Sequence, residues 1–322
     1  MKKISIVTPC YNEEENVENL YNTVKEMMGH FPDFSYEHIF IDNASGDTTV
    51  AILKKLASSD ANVKLIVNSR NFGHIRSPYY GLLQASGDAV ISMAADFQEP
   101  PVLIPDFIAK WEQGFKIVLG VKIKSKENKL MFFVRKTYYS FIRKISDVQL
   151  IDNFTGFGLY DRQIIETLRA LNENYPYFRG LISEIGFEKA SVEFVQPKRE
   201  RGSTKNNFYT LYDMAMLGIT SFSKVPLRLA TMAGFALSIL SLIFAFVYLI
   251  YKLIRWETFS LGLAPLVIGL FFFTSVQLIF IGIIGEYLGT IYTKVTNRPL
   301  VIEKERINFD DNNTPASKEP KN

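Results

Sequence analysis

The chain has 322 residues, 48% of them hydrophobic, which is enough for one large or two ordinary domains with an ample core. A net charge of +3 is too small to argue for a nucleic-acid partner, and three scattered histidines without a His-x-x-x-His pair speak against a zinc site. The single cysteine, Cys10, excludes an intramolecular disulfide framework and reads as a small apolar filler in a reducing compartment.

From Met1 the chain runs straight into strand pattern, with no apolar signal-peptide core ahead of it. Ile4–Pro9 is predicted as the first strand, stopped by Pro9. Tyr11-Asn12-Glu13-Glu14-Glu15 follows, then a helix from about Asn16 whose acidic start suits the helix dipole. His38–Ile41 is a second strand ending in Asp42-Asn43-Ala44-Ser45-Gly46-Asp47, and Thr48 to about Ser58 is helical. Val63–Val67 is a third strand, ending in Asn68-Ser69-Arg70-Asn71-Phe72-Gly73-His74. A helix from about Ser77 to Ser86 leads to a fourth strand, Ala89–Ser92. Four strands alternating with helices predict a parallel sheet covered on both faces. Polar clusters recur at the carboxyl ends of successive strands, and that recurrence gathers them along one edge, where ligands bind in open α/β sheets.

The fourth strand runs into Met93-Ala94-Ala95-Asp96-Phe97-Gln98-Glu99-Pro100-Pro101. In extended backbone Asp96 and Gln98, two apart, point to the same face. Two hard oxygen donors there suit Mg²⁺ or Mn²⁺ held jointly with substrate phosphates, while a plain strand-to-turn exit is the competing reading.

Beyond Pro101 a helix and a strand over Lys116–Gly120 are expected, then a solvated basic loop from Lys122 to Lys129. Leu130–Ile145 interleaves aromatic residues with Arg135, Lys136, Arg143 and Lys144, the pattern either of a helix at a membrane surface or of one packed on the sheet. Asn153–Tyr160 precedes another helix. The basic stretch Pro197–Lys205 reads equally as a loop that closes over an anion or as an exposed charged loop. Leu229–Tyr251 carries no charge and, at about 1.5 Å per residue, spans roughly 34 Å, enough for a hydrocarbon core of about 30 Å. Phe259–Gly285 is a second uncharged run, closed by Glu286. Lys224 and Arg228 precede the first run, and Lys294 and Arg298 follow the second, which favours both ends inside. The tail from about Phe309 has the composition of a disordered segment.

Five stretches, Thr8–Glu14, Asp42–Ser45, Arg70–His74, Gly87–Ile91 and Asp96–Pro101, together resemble family 2 glycosyltransferases of GT-A fold. The resemblance is to the polyprenyl-phosphate branch; it runs from about residue 3 to 300 and takes in the Arg199…Lys205 loop and the paired apolar runs. It implies an α/β, Rossmann-like GT-A nucleotide-sugar-binding domain with a mostly parallel sheet over 1–210 and a juxtamembrane helical segment over 211–228. A two-helix transmembrane hairpin (about 229–251 and 261–285, within 229–290) follows, then a cytoplasmic C-terminal segment, 291–322. The implied activity is inverting transfer of a sugar, from a UDP-linked donor in preference to GDP, to a polyprenyl phosphate at the inner membrane face for cell-envelope glycan modification. Pro9, Tyr11, Asn12, Glu13, Asp42, Asn43, Ser45 and Arg70 would bind the nucleotide-sugar. Asp96 and Gln98 would hold Mg²⁺ or Mn²⁺, and Asp96, Arg199 and Lys205 would act in catalysis. Arg135, Arg143 and Ser203 would meet the lipid phosphate, and relatives suggest self-association.

Three departures from the resemblance stand out. An Asp-Ala-Asp pattern is replaced by Ala94-Ala95-Asp96, Asp-Asp-Gly-Ser by Asp42-Asn43-Ala44-Ser45, and an Asp before Phe-Arg by Gly156-Phe157-Gly158. The last is tolerable for a phosphate acceptor, whose second pKa of about 6 lets it attack without a base. Ala94 and Gly156 also motivate a rival reading, a catalytically silent membrane scaffold that binds nucleotide-sugar or lipid phosphate.

Overall fold

The computed structural model describes residues 1–124, 151, 153–197, 208–254, 263–296 and 298–309. Of the stretches singled out above, 125–129 of the basic loop, Leu130–Ile145 with Arg135, Lys136, Arg143 and Lys144, 198–205 with Arg199, Ser203 and Lys205, 259–262 of the second uncharged run and the tail beyond Phe309 lie outside this set. The chain divides into two compact units, a sheet unit and a helical unit formed mainly by 208–296.

In the sheet unit β1 (Lys2–Cys10), β2 (Phe34–Asp42), β3 (Val63–Asn68) and β4 (Ala89–Ser92) alternate with α1 (Val17–Gly29), α2 (Thr49–Ser59) and α3 (Gly73–Gln84). A 3₁₀ turn at Pro101–Leu103 leads into α4 (Ile104–Glu112). Then come β5 (Ile117–Lys124), β6 (Phe154–Asp161), α5 (Arg162–Leu171), α6 (Phe178–Glu184), β7 (Lys189–Val195) and, after the helical unit, β8 (Glu303–Ile307). The sheet order is β7-β5-β6-β4-β1-β2-β3-β8. β1 pairs in parallel with both β2 and β4, and β2 with β3, as the βαβ pattern requires. Apolar residues alternate between two faces. Ile4, Ile6, Phe40, Leu65 and Ile91 meet Leu20, Leu53 and Phe107 of α1, α2 and α4, while α3 and α5 cover the opposite face.

Pro9 does not stop β1. The Val7 carbonyl accepts the Met93 N–H, so by alternation Pro9 faces the same side, beyond the last β4 partner, Ser92. A missing donor there leaves no ladder bond unmade, and β1 continues to Cys10.

Three strands were not expected. β6 is antiparallel to both β4 and β5, and its glycines weaken the strand pattern. Those glycines are structural: Gly156 has φ +109°, and a Cβ at Gly158 would run into the Val118 carbonyl oxygen. Both glycines of the third departure noted above therefore fall where the backbone itself favours glycine. β7, parallel to β5, forms one edge of the sheet. β8 forms the other, antiparallel to β3. Four of its five residues are charged, a composition that reads as solvated tail but suits a sheet edge. It is pinned by Tyr80 Oη to Glu303 Oε1 (2.8 Å), Arg306 to Gln84 Oε1 (2.7 Å) and Asn308 Nδ2 to the Ala57 carbonyl (2.7 Å).

The helical unit comprises α7 (Phe208–Phe222), α8 (Val225–Ile254) and α9 (Leu263–Val295). Pro226 in the first turn of α8 and the Ser223 hydroxyl, which accepts the Val225 N–H at 3.2 Å, separate α8 from α7. Two stretches, Val225–Phe244 and Gly269–Val295, are long and apolar enough to cross a membrane. The second helix runs past Glu286 to Val295, and the Glu286 carboxylate accepts the Tyr212 hydroxyl at 2.8 Å. Thr220 with Thr290 (2.8 Å), and Tyr287 with the Ser223 carbonyl (2.7 Å), extend the same α7–α9 seam.

At the amino ends of the strands, Glu37 is 1% exposed and gathers donors from four residues. Lys3 Nζ lies at 2.8 Å, Lys64 Nζ at 2.7 Å, the Ser5 hydroxyl at 2.5 Å and the Ser86 N–H at 2.8 Å. Burial pushes the carboxyl pKa up, but these partners outweigh it and hold it at about 2. A carboxyl depressed in the folded state contributes stability that is present above the unfolded value and lost as pH falls through the folded one. Glu37→Gln should therefore lower stability by about 3–5 kcal/mol at neutral pH, since it strands Lys64. It should also remove the part of the acid dependence that lies between pH 4.5 and about 2. Thermal unfolding of both proteins across that interval checks this; parallel curves would exclude Glu37 as the source.

Candidate active site

Because β1 to β4 are parallel, Cys10, Asp42, Asn68 and Ser92 end at one edge of the sheet. β6 runs the other way and brings Phe154 and Thr155 to that edge at its start. β5 opposes β6 and β7 follows β5, so Lys122 and Val195 also finish there. The strand order reverses between β1 and β4, which makes the exits of those two strands the walls of a crevice.

The β1 exit and the β2–α2 turn are sewn together. Asn12, at φ +54°, donates its N–H to Ser45 Oγ (2.8 Å) and accepts the Gly46 N–H on Oδ1 (2.8 Å). Ser45 donates its hydroxyl and N–H to the two oxygens of Asp42, at 2.5 and 2.9 Å. Asp42 is fully buried, and burial raises its pKa above the usual carboxylate range despite these donors. Ala44 has φ +61°, a conformation costing roughly 1–2 kcal/mol for a residue with a Cβ, which explains why a glycine suits this position in the pattern it departs from. Glu13 lies ahead of α1 and its carbonyl accepts the Val17 N–H at 3.1 Å; its own N–H donates to Thr49 Oγ1 (2.9 Å) and its carboxylate accepts Asn16 Nδ2 (2.7 Å). Tyr11, 36% exposed, stands at the rim beside Pro9. Cys10 is a buried thiol whose pKa burial and the Asp42, Glu13 and Asp47 charges push up, the setting of an inert filler.

Asn43 was expected to face the nucleotide, and instead its amide ties two loops together. Its Nδ2 donates to Asn71 Oδ1 (2.9 Å) and the Gly73 carbonyl (3.2 Å), and its Oδ1 accepts the Phe72 N–H (2.9 Å) and Asn68 Nδ2 (3.2 Å). The residue is 7% exposed. Arg70, in the loop so held, is exposed with its guanidinium 4.1 Å from the Phe72 ring centroid. From the far side, the Ile302 carbonyl before β8 accepts the Ser69 N–H at 2.9 Å.

Asp96 and Gln98 follow β4, but not in extended backbone. Phe97 has φ +58°, and the Gln98 N–H donates back to Asp96 Oδ1 at 3.2 Å, so a turn, not strand alternation, sets their relation. Glu99, which the sequence reading passed over, sits behind this turn. Burial raises its pKa, and the Asp96 charge raises it further while Lys122 opposes. Lys122, read as part of a solvated loop, also donates to Gln196 Oε1 at 3.0 Å and links the ends of β5 and β7. Its position at the carboxyl end of a strand was the signal available for it. Among the described residues no three of His, Cys, Asp and Glu group as metal ligands. A cation at this edge would therefore share Asp96 and Gln98 with oxygens brought by a substrate.

Removing the Asn43 amide leaves several loop groups unpaired. Asn43→Ala should cost about 1–3 kcal/mol and speed amide exchange across Asn68–Gly73. Hydrogen-exchange mass spectrometry reads this directly, and unchanged protection would contradict the knot.

The model of the family described as "Glycosyl transferase family 2" matches residues 5–169. An uncharacterized glycosyltransferase of Bacillus subtilis, YkcC, is 36% identical over 301 residues, covering 92% of each chain. A bactoprenol glucosyl transferase of Shigella phage SfII is 36% identical over 304 residues, covering 94% of this chain and 98% of that protein. Among solved structures, the glucosyl-3-phosphoglycerate synthase of Mycobacterium tuberculosis, crystallised with Mn²⁺, uridine diphosphate and phosphoglyceric acid, has a TM-score of 0.45 at 18% identity, covering 68% of this chain and 76% of that one. The family model over half of the chain and the relatives at 36% identity over more than nine-tenths of it show that the chain belongs to glycosyl transferase family 2, with a GT-A sheet unit and two apolar C-terminal helices.

Proposed function

We propose that this glycosyltransferase moves a sugar, with inversion, from a UDP-linked donor to a polyprenyl phosphate at the inner face of the cell membrane. The observation that carries the reading is the Asp96–Gln98 turn at the strand-order reversal, in a chain that also holds two helices long enough to cross a bilayer. The acceptor is inferred from the relative named for bactoprenol and from those helices, which would keep the protein where a lipid phosphate is. The sheet unit and both ends would then face the cytoplasm.

The donor set suits a divalent cation: a carboxylate and an amide oxygen are hard ligands for Mg²⁺ or Mn²⁺. Such an ion, when bound, would neutralise charge on the donor diphosphate. Tyr11 at the rim would meet the nucleotide base, with Pro9, Glu13 and Arg70 beside it. Asn12, Asp42, Asn43 and Ser45 would act one step removed, by fixing the loops that carry these groups. Arg199 and Lys205, which follow β7, would stabilise the departing nucleotide diphosphate, and Arg135, Arg143 and Ser203 would hold the acceptor. An acceptor phosphate oxygen forms the bond to the anomeric carbon as the bond to the diphosphate breaks, and the electron pair leaves with the nucleotide. The phosphate, with a second pKa of about 6, is largely dianionic at neutral pH and needs no base. Gly156 is compatible with that chemistry, since no carboxylate is required there.

Asp96→Ala should lower transfer at least about 100-fold at unchanged expression. Purified protein in detergent, assayed with labelled nucleotide-sugars, Mn²⁺ and undecaprenyl phosphate, measures this; most activity retained would remove Asp96 from the mechanism. Lys205→Ala should reduce kcat more than it raises the donor KM, because its partner charge is largest in the transition state. A change confined to KM would contradict that role.

A further inference from the structure

One side chain braces the Asp96 turn from both sides. Glu99 reaches back so that Oε2 accepts the Ala94 N–H at 2.7 Å, while Oε1 accepts the Thr155 hydroxyl at 2.8 Å. Ala94 lies on the exit of β4, and Thr155 is the second residue of β6, the strand antiparallel to β4. The regular β4–β6 pairing ends at Ser92 with Gly158, so no β4–β6 ladder bond joins Ala94 to Thr155, which is held on its other side by the pairing of β6 with β5. The carboxylate replaces ladder bonds with a side-chain bridge at the point where the chain turns away from the sheet. Asp96, Phe97 and Gln98 lie inside the loop that this bridge closes, and within it the Gln98 N–H donates to Asp96 Oδ1 at 3.2 Å. A loop pinned at both ends across five residues, with a left-handed residue at its centre, has little freedom to re-aim Asp96.

We propose that Glu99 is a positioning residue for cation binding. By bridging Ala94 and Thr155 it fixes the turn that aims Asp96 and Gln98, and it acts through shape, not through its charge. The inference rests on the metal-holding role given to Asp96 and Gln98 above. Glutamine at 99 can make the same bridge, with its oxygen accepting the Ala94 N–H and its amide donating to Thr155 Oγ1. Alanine cannot, and Thr155→Val removes the far partner while leaving Glu99 in place.

The test is Mn²⁺ binding to the full-length protein in detergent with saturating UDP, read by the free-ion electron paramagnetic resonance signal, with UDP affinity in the absence of metal as the control. Glu99→Ala and Thr155→Val should each weaken Mn²⁺ about 10-fold, the usual scale for a partner that orients a metal ligand. Glu99→Gln should stay within about 3-fold of the parent, and metal-free UDP affinity should be unchanged in all three. Equal loss in Glu99→Gln and Glu99→Ala would overturn the bridge in favour of a charge effect. Wild-type Mn²⁺ affinity in Thr155→Val would overturn it as well. Asp96→Asn separates this from the underlying reading. If it loses Mn²⁺ while Glu99→Ala does not, only the role of Glu99 fails; if it keeps Mn²⁺, the cation site fails and the brace with it.

Discussion

The parallel pairing of β1 with both β2 and β4 is the constraint on which the rest depends. A strand flanked by parallel partners on both sides needs a helical crossover for each, and the crossovers leave every strand end free at one edge. The first crossover goes one way and the return to β4 goes the other, so the exits of β1 and β4 cannot be covered by a connection between them. The crevice follows from chain path alone, before any side chain is chosen. What the side chains add is order in the loops around it.

That order comes from buried polar groups used as ties. Asn43 places one amide among Asn68, Asn71, Phe72 and Gly73; Asp42 closes its own turn through Ser45; and Glu99 joins the exit of β4 to β6. In each case a donor or acceptor left unpaired away from water would cost more than the bond gains, so the loops have one low-energy arrangement. The residues at the rim, Tyr11 and Arg70, are exposed by contrast. On the proposed reading, a site built this way would divide its labour between groups that touch a ligand and groups that hold them still. Sequence patterns do not distinguish the two.

The same division explains the departures from the family resemblance. Gly156 and Gly158 sit where β6 has positive φ and a close approach to β5, so their lack of a side chain is a packing matter as much as a chemical one. Ala44 occupies a left-handed position without being glycine, and its turn is closed by the Asp42–Ser45 bonds. The segment after α9 returns to the sheet unit as β8, and the residue before that strand helps to hold the β3–α3 loop. A part of the chain that follows the apolar helices thereby shares in the architecture of the edge.

The alternation of apolar strands and helices, the clusters at strand ends and the two uncharged runs determined the fold class, the edge that carries the site and the paired apolar helices, because each is a local pattern set by periodicity and length. Tertiary structure alone decided β6 and β8, since a glycine-interrupted strand and a strongly charged edge strand have no local signature and gain their bonds from partners distant in the chain, whereas β7 carries a short alternation of Ala190, Val192 and Phe194 with polar residues. It also decided what the polar residues do. Asn43 and Glu99 become ties, and Asp96 and Gln98 meet through a left-handed Phe97, because the partners that satisfy a buried amide or carboxylate are set by which loops converge, and spacing along the chain does not encode that convergence.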